Sequence, residues 1–222
     1  MFCTEQNCAK QITVHEAMNY IKDGDCIMVG GFLNCGAPET LIEGVVVFGK
    51  KNLILIANDT AFPDAGVGKL VVSRQFKKVI VSHIGTNPET GRQMNAGELD
   101  VDLVPQGTLA ERIRSAGFGL GGILTPTGVG TPVEAGKQKL TIDGKDYLLE
   151  LPIKADVALV KAYKADKAGN LVFRKAARNF NPLMATAAKV VIVEAQNIVE
   201  IGEIDPDEVM TPGIFVNYLV QG

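Results

Sequence analysis

The chain has 222 residues, with 22 Lys and Arg against 25 Asp and Glu, which gives a formal net charge of −3 at pH 7. A slightly acidic chain has no overall field to gather nucleic acid, so DNA- and RNA-binding proteins are disfavoured. With 46% hydrophobic residues, a chain of this length buries a large core without metal or disulfide staples, and one domain over residues 1–222 is the simplest organisation.

The first predicted helix starts at a capping box, Thr13-Val14-His15-Glu16, in which each of the two end side chains accepts the other residue's backbone N–H. Apolar residues at helical spacing give this helix one buried face, and Gly24 is predicted to end it with a left-handed cap. The run from Cys26 to Val29 is apolar without alternation, which predicts a strand covered on both faces, with Cys26 as a small buried residue.

A glycine-containing loop, Gly30 to Gly36, follows this strand and leads to Pro38 at the first position of a second helix. Further buried strands are predicted at Leu53 to Ala57, Val79 to Ser82, Val101 to Val104, Val157 to Val160 and Val190 to Val193. Helical segments are predicted between them at Gly68 to Ser73, from a second capping box at Thr108 to Ser115, and from Asn181-Pro182.

The segment Gly117 to Thr131 is predicted to be a long glycine-rich loop, and Asp143-Gly144 is a strong hairpin turn between two short strands. Strands that alternate with helices predict an α/β fold: an open, mostly parallel β-sheet sandwiched by helices and decorated by this hairpin. The 24 glycines exceed the usual share of about 7% and fall mainly in the loops of this arrangement.

The compartment and the cysteines give further expectations. The N-terminus lacks a basic segment followed by an apolar run, and no apolar stretch is long enough to cross a bilayer, so a cytoplasmic protein that does not enter the membrane is predicted.

The four cysteines have no CxxC spacing, and His15 and His83 are the only histidines. Neither a disulfide framework nor a metal site is therefore expected. The cysteines are Cys3, Cys8, Cys26 and Cys35.

Two segments resemble nucleotide-binding motifs by their letters, but their flanking or ligating residues do not fit those motifs. The segment Gly117 to Gly122 reads GxGxxG, but a predicted helix precedes it where the dinucleotide fingerprint needs a strand. The segment Gly44 to Lys51 nearly reads as a P-loop, but Lys51 stands where a Ser or Thr must bind magnesium. The sequence therefore predicts no NAD site and no P-loop.

Two loops lie at the carboxyl ends of predicted parallel strands, where open α/β sheets bind ligands. One is Gly30 to Gly36; the other contains Gln106, whose amide can stabilise a developing oxyanion, although a capping or solvated Gln is the alternative. His83 and Glu194 end strands at the same rim; His83 is better explained as a structural residue. The residues alone predict a glycine-lined pocket for an anionic or thioester ligand.

A series of sequence blocks runs in order from the first helix almost to the C-terminus. The blocks are Asp23-Gly24, Ile27 to Phe32, Gly36 and Pro38, Ala57-Asn58-Asp59-Thr60, Ser82 to Asn87, Pro105 to Arg114, Thr125 to Thr131 and Ala177 to Pro182. In these blocks the sequence resembles the α subunit of family I CoA-transferases, the 3-oxoacid and acetate/butyrate–acetoacetate enzymes.

In that family, a glutamate in a Ser-Glu-x-Gly motif of the β half attacks the acyl-CoA thioester, and this chain contains no such motif. The resemblance therefore implies one subunit that is active only with its β subunit, in an α2β2 or larger assembly. It implies ping-pong transfer of CoA between a short-chain acyl-CoA (acetoacetyl-, butyryl- or acetyl-CoA) and acetate, butyrate or acetoacetate. CoA and acyl-CoA are then substrates, with no permanently bound cofactor.

The resemblance also implies roles for individual residues. Gln106 would donate to the oxyanion of the tetrahedral intermediate, and the loop would bind CoA. Many relatives read Gly-Gly-Phe-Gly where this chain has Leu33, which predicts a narrower or differently wetted pocket beside Phe32. The Leu33-Asn34-Cys35 variant resembles that of clostridial butyrate–acetoacetate enzymes, which favours short, linear C2 to C4 acyl groups. A sugar-phosphate isomerase on a related sheet and an acyl-CoA sensor remain alternatives. The loop residues are Gly30, Gly31, Phe32, Leu33, Asn34, Cys35 and Gly36.

Overall fold

Short apolar runs in this chain become strands of a parallel sheet, because helices cover both faces of its central strands. The edge strand Asp100–Leu103 is only partly covered, and Leu103 is exposed, so the prediction of a buried strand there is wrong. The computed structural model describes residues 9–222. The strands are β1 (Lys10–Gln11), β2 (Cys26–Val29), β3 (Leu53–Ile56), β4 (Phe76–Val81), β5 (Asp100–Leu103), β6 (Ile123–Thr125), β7 (Lys139–Ile142), β8 (Lys145–Glu150), β9 (Ala155–Asp166), β10 (Leu171–Val172), β11 (Ala188–Val199) and β12 (Tyr218–Gln221). The helices are α1 (Val14–Met18), α2 (Glu39–Val47), α3 (Gly68–Val72), α4 (Pro88–Asn95), α5 (Gln106–Gly117) and α6 (Asn181–Thr186).

Within residues 9–222, the main sheet has the order β1-β12-β11-β9-β2-β3-β4-β5, with β10 paired to β9. All of its neighbours are parallel except β10 and β9. Side chains of α1, α2 and α3 pack in one buried cluster and those of α5 and α6 in another. Strand β2 contributes Ile27 and Val29 to the first cluster and Met28 to the second, as alternation requires. The predicted α/β sandwich is confirmed.

The first predicted capping box is confirmed, but the predicted C-terminal cap of the same helix at Gly24 is wrong. The Glu16 N–H donates to Thr13 Oγ1 at 3.2 Å, and the Thr13 N–H donates to Glu16 Oε2 at 2.8 Å. Helix α1 ends at Met18, so Gly24, at φ +86°, lies in the turn before β2 and does not cap the helix. The chain leaves the helix early and still buries Ile21 against the sheet.

The second predicted capping box does not form. Helix α5 starts at Gln106, directly after Pro105, and continues to Gly117. Thr108 therefore lies inside the first turn, where it is buried, and the carboxylate of Glu111 accepts from Arg114 Nε at 2.8 Å. The proline starts the helix three residues earlier than the Thr-x-x-Glu pattern indicates, which removes the free backbone N–H that a cap at Thr108 would bind.

The glycine-rich segment is also less irregular than predicted. Strand β6 lies within it and pairs with β8, so the hairpin belongs to a small antiparallel sheet of order β6-β8-β7. The hairpin turn is confirmed: Asp143 and Gly144 have φ of +52° and +74°, the conformation that a two-residue type I′ turn requires. Helix α4 was not predicted, although Asn87 caps it and Pro88 occupies its first position.

The cysteines of the described residues are free thiols, and Cys3 and Cys8 lie outside the described residues. Cys35 is exposed. Cys26 is half-buried and not fully buried as predicted. Burial, together with the nearby carboxylates of Asp156 and Asp25, raises the pKa of the Cys26 thiol to about 11. Cys26 is therefore a weakly acidic thiol and behaves as a packing residue.

Candidate active site

The carboxyl ends of four neighbouring parallel strands gather the candidate residues at one edge of the sheet. The loop Gly30 to Gly36 follows β2, Asn58 and Asp59 follow β3, His83 follows β4, and Gln106 follows β5. The order β2-β3-β4-β5 places these segments side by side, at the edge where open α/β sheets bind ligands. The placement of the loop and of Gln106 at one rim agrees with the sequence expectation.

The loop Gly30 to Gly36 is a tight hairpin and is held from both sides. Phe32 and Cys35 donate their backbone N–H groups to each other's carbonyl oxygens at 3.0 and 2.9 Å. A Cβ on Gly30 would lie 1.8 Å from Asn181 Oδ1, so only glycine fits there. Asn181 also donates to the Gly36 carbonyl at 3.0 Å, which fixes the loop against the start of α6. The Phe32 side chain remains exposed.

A chain of side-chain hydrogen bonds joins Gln106 to this loop. Gln106 Nε2 donates to Asn58 Oδ1 at 2.7 Å, and Asn58 Nδ2 donates to Asp59 Oδ2 at 2.6 Å. The same Asp59 oxygen accepts the Leu33 N–H at 2.8 Å, and its other oxygen accepts the Ala61 N–H at 2.7 Å. Asn58 and Asp59 are buried, whereas Gln106 is exposed.

The Asp59 carboxylate fixes the donor and acceptor of each hydrogen bond between the side chains of Gln106, Asn58 and Asp59. A carboxylate only accepts, so the Asn58 amide must turn its NH2 group towards Asp59 and its oxygen towards Gln106. Gln106 then donates one Nε2 hydrogen to Asn58 Oδ1, and its second Nε2 hydrogen is available to another acceptor. The arrangement presents an oriented N–H donor at an open rim, which is the requirement for binding a developing oxyanion.

Two other carboxylates near this rim have structural partners, and a histidine lies beside it. Glu194 lies buried within β11, not at its end, and accepts from Lys161 Nζ at 2.5 Å and from the Leu41 N–H at 3.1 Å. It thereby anchors the first turn of α2, where a carboxylate also complements the helix dipole. Glu39 accepts from Gly66 N–H and Lys69 Nζ and ties α2 to α3. His83 lies beside Asp59 across one parallel bridge.

Leu33 holds a backbone conformation that favours glycine. Its φ is +50°, in the left-handed region, which costs a residue with a Cβ about 1 to 2 kcal/mol. The hydrogen bond from its N–H to Asp59 keeps it there. This explains on physical grounds why a glycine suits the position, while the expected narrowing of the pocket by the leucine stays a prediction.

We expect Leu33→Gly to keep or raise the free energy of unfolding and Leu33→Val to lower it by about 1 kcal/mol, because a β-branched residue tolerates positive φ least. Urea unfolding of the variants measures both. Leu151 is the matched control: it is an exposed leucine whose φ is not in the left-handed region, so Leu151→Gly is expected to destabilise. Equal destabilisation by glycine at both sites would contradict the strain assigned to Leu33.

The sequence comparisons identify the family of the chain. A profile of the family described as Coenzyme A transferase matches residues 11–222. The chain belongs to the coenzyme A transferase family. It is 55% identical to the acetate CoA-transferase subunit alpha of Escherichia coli K12 over 211 residues, which are 95% of this chain and 96% of that protein. It is 52% identical to the acetoacetyl-CoA:acetate/butyrate CoA transferase alpha subunit of Clostridium acetobutylicum over 213 residues, 96% and 98% of the two chains.

The family resemblance seen in the sequence is therefore confirmed: the chain is an α subunit of a coenzyme A transferase, an enzyme. A solved structure supports the fold. The acyl-CoA transferase of E. coli O157:H7 superposes on all of this chain with a TM-score of 0.88 at 23% identity, and the match covers 48% of that longer chain. The coenzyme A transferase fold thus places the loop, Asn58, Asp59 and Gln106 at one rim.

Sequence reasoning named Gln106 and the loop but assigned no role to Asn58 and Asp59. Both stand in a block that carries the family resemblance, directly after a predicted strand at the ligand-binding edge, and that position was the available signal.

Two further findings concern residues 9–222: no group of three or more His, Cys, Asp or Glu is placed to hold a metal ion, and no helix has both the length and the apolar character to cross a bilayer.

Proposed function

We propose that this α subunit works with a β subunit to move CoA between a short-chain acyl-CoA and acetate, butyrate or acetoacetate, in an α2β2 or larger cytoplasmic assembly. The observation that carries the proposal is the oriented amide of Gln106, held by Asn58 and Asp59 beside the loop Gly30 to Gly36. The names of the two relatives, which mention acetate, acetoacetyl-CoA and butyrate, support short-chain substrates.

The reaction proceeds in two displacements on a glutamate of the β subunit. Its carboxylate attacks the thioester carbonyl, and the tetrahedral intermediate expels CoA thiolate to leave an acyl anhydride. The thiolate then attacks the anhydride carbonyl that belongs to the enzyme, which releases the first carboxylate and forms a glutamyl-CoA thioester. The second carboxylate reverses the same steps and departs as the new acyl-CoA.

In this scheme the α subunit supplies stabilisation and positioning. The free Nε2 hydrogen of Gln106 donates to the oxyanion of each tetrahedral intermediate, an interaction that strengthens as charge develops. The loop binds CoA through its backbone and the exposed Phe32 ring. CoA enters and leaves as a substrate and is not a resident cofactor.

The test is co-expression of this chain with the reading frame adjacent to its gene, followed by an assay of CoA transfer from acetoacetyl-CoA to acetate. We expect transfer by the purified pair and none by this chain alone. Incubation of the pair with acetoacetyl-CoA without acceptor should add the mass of CoA to the β subunit, and replacement of the glutamate in its Ser-Glu-x-Gly motif should abolish that adduct. Transfer by this chain alone, or an adduct on this chain, would overturn the proposal.

A further inference from the structure

The hydrogen bond between Gln106 and Asn58 crosses the end of β4. Gln106 follows β5 and Asn58 follows β3, and β4 lies between these two strands in the sheet. Directly after β4, Ser82 Oγ lies 3.3 Å from Asn58 Oδ1, the same oxygen that accepts from Gln106 Nε2. His83 is the next residue and forms a parallel bridge with Asp59. His83 therefore stands at the same rim, one strand from Gln106 and one strand from Asp59.

The imidazole of His83 has no hydrogen bond that ties it to the fold. Ser82 Oγ and Thr86 Oγ1 donate to backbone carbonyls at 2.7 Å, whereas within residues 9–222 neither ring nitrogen of His83 has a hydrogen-bond partner. The neighbouring Asp59 carboxylate is occupied by the three donors described above. A neutral imidazole carries one N–H and an imidazolium carries two, so the partly exposed ring offers a donor in either state.

Gly85 makes room for this ring. A Cβ on Gly85 would lie 2.9 Å from His83 Cε1 and 3.1 Å from His83 Nε2. The φ of Gly85 is outside the left-handed region, so the backbone conformation does not require glycine there. The glycine therefore serves the position of the imidazole, and an alanine at residue 85 would displace the ring, which is the movable end of a side chain.

We infer that His83 donates a hydrogen bond to the 3-oxo oxygen of an acetoacetyl group and makes the enzyme prefer 3-oxoacyl over simple acyl substrates, an inference that rests on the proposed function. With the C1 oxygen of the substrate at the Gln106 amide, C3 is two carbon atoms away along the acyl chain. Neighbouring strands are about 4.8 Å apart, so a donor on the strand next to β5 suits an oxygen at that separation. A butyryl group has the same number of carbon atoms but a methylene at C3, which leaves the N–H unpaired.

The test compares acetoacetyl-CoA with butyryl-CoA as donors to acetate, using the co-expressed pair with His83→Leu. We expect the ratio of the two kcat/KM values to fall about tenfold, because one hydrogen bond to the 3-oxo oxygen is lost, while kcat/KM for butyryl-CoA stays within twofold. His83→Gln keeps an N–H donor and should lose at most threefold in this ratio. The matched control is His15→Leu, at the other histidine, which is exposed on α1 and should leave the ratio unchanged.

A second variant tests the position of the ring, and a binding measurement separates this inference from the proposed function. Gly85→Ala should lower the same ratio at least threefold, with an unfolding midpoint close to that of the wild type. An unchanged ratio in His83→Leu, or equal losses on both donors, overturns the inference. If the wild-type pair shows no transfer, the proposed function fails, and calorimetric titration of the pair with acetoacetate and butyrate decides the inference: the wild type must bind acetoacetate more tightly, and His83→Leu must bind the two equally.

Discussion

Replacing Gln106 with alanine is expected to lower the kcat of the assembled enzyme about 100-fold, the usual effect of losing one oxyanion donor. The exposed side chain contributes little to the fold, so the free energy of unfolding should stay within about 0.5 kcal/mol of the wild-type value. The KM for acyl-CoA should change little, since the interaction forms mainly in the transition state. Steady-state kinetics of the co-expressed pair and urea unfolding measure the three quantities.

Two further variants sharpen this test. Gln106→Glu keeps the size of the side chain but replaces the N–H donor with an acceptor that faces both Asn58 Oδ1 and the oxyanion, so its kcat should be at least as low as that of Gln106→Ala. Glu111→Gln, on the same helix and, within residues 9–222, paired only with Arg114, should retain kcat within twofold. A kcat for Gln106→Ala within threefold of wild type would remove the amide from the mechanism.

Features that depend on local pattern could be predicted from the sequence. The apolar run of β2 indicated a buried parallel strand, and the structure places β2 between β9 and β3. The Asp143-Gly144 turn and the capping box at Thr13 are decided by a few neighbouring residues and form as predicted. The position of Gln106 also followed, because the end of a parallel strand determines which edge of the sheet a residue occupies.

Features that depend on packing could not be predicted in the same way. Thr108 and Glu111 spell a capping box, but Pro105 starts the helix before them. The sequence pattern predicts that a strand ends at Glu194, yet β11 continues to Val199 and buries the carboxylate against Lys161 and α2. Lys161 and Leu41 lie 33 and 153 residues from Glu194 along the chain, so no local pattern around Glu194 indicates these partners.

In the loop, one glycine is explained by local backbone conformation and another by packing against a distant part of the chain. Sequence reasoning explained them by backbone freedom and access to a ligand. The structure shows that Gly30 is required by the close approach of Asn181, about 150 residues further along the chain, whereas Gly31 is required by its φ of +126°. The first requirement belongs to the fold and the second to the loop itself, so a substitution at either glycine disturbs the backbone before it disturbs a ligand.

Replacing Asp59 with asparagine is expected to lower kcat between 10- and 100-fold and to destabilise the subunit by about 2 kcal/mol. The buried carboxylate accepts from Leu33 N–H, Ala61 N–H and Asn58 Nδ2, and an amide has only one acceptor oxygen, so at least one buried donor loses its partner. The Asn58 amide is then free to reverse and turn its NH2 group towards the Gln106 donor. Asp59 is on this account a positioning residue.

A double-mutant cycle distinguishes positioning from a general loss of structure. If Asp59 acts through the Gln106 amide, the double variant Asp59→Asn with Gln106→Ala should have nearly the kcat of Gln106→Ala alone, because the interaction that Asp59 supports has already been removed. If Asp59 only supports the fold, the two losses multiply, and that result would contradict positioning. Asp64→Asn, an exposed carboxylate in the next turn, is the matched control and should change kcat less than twofold.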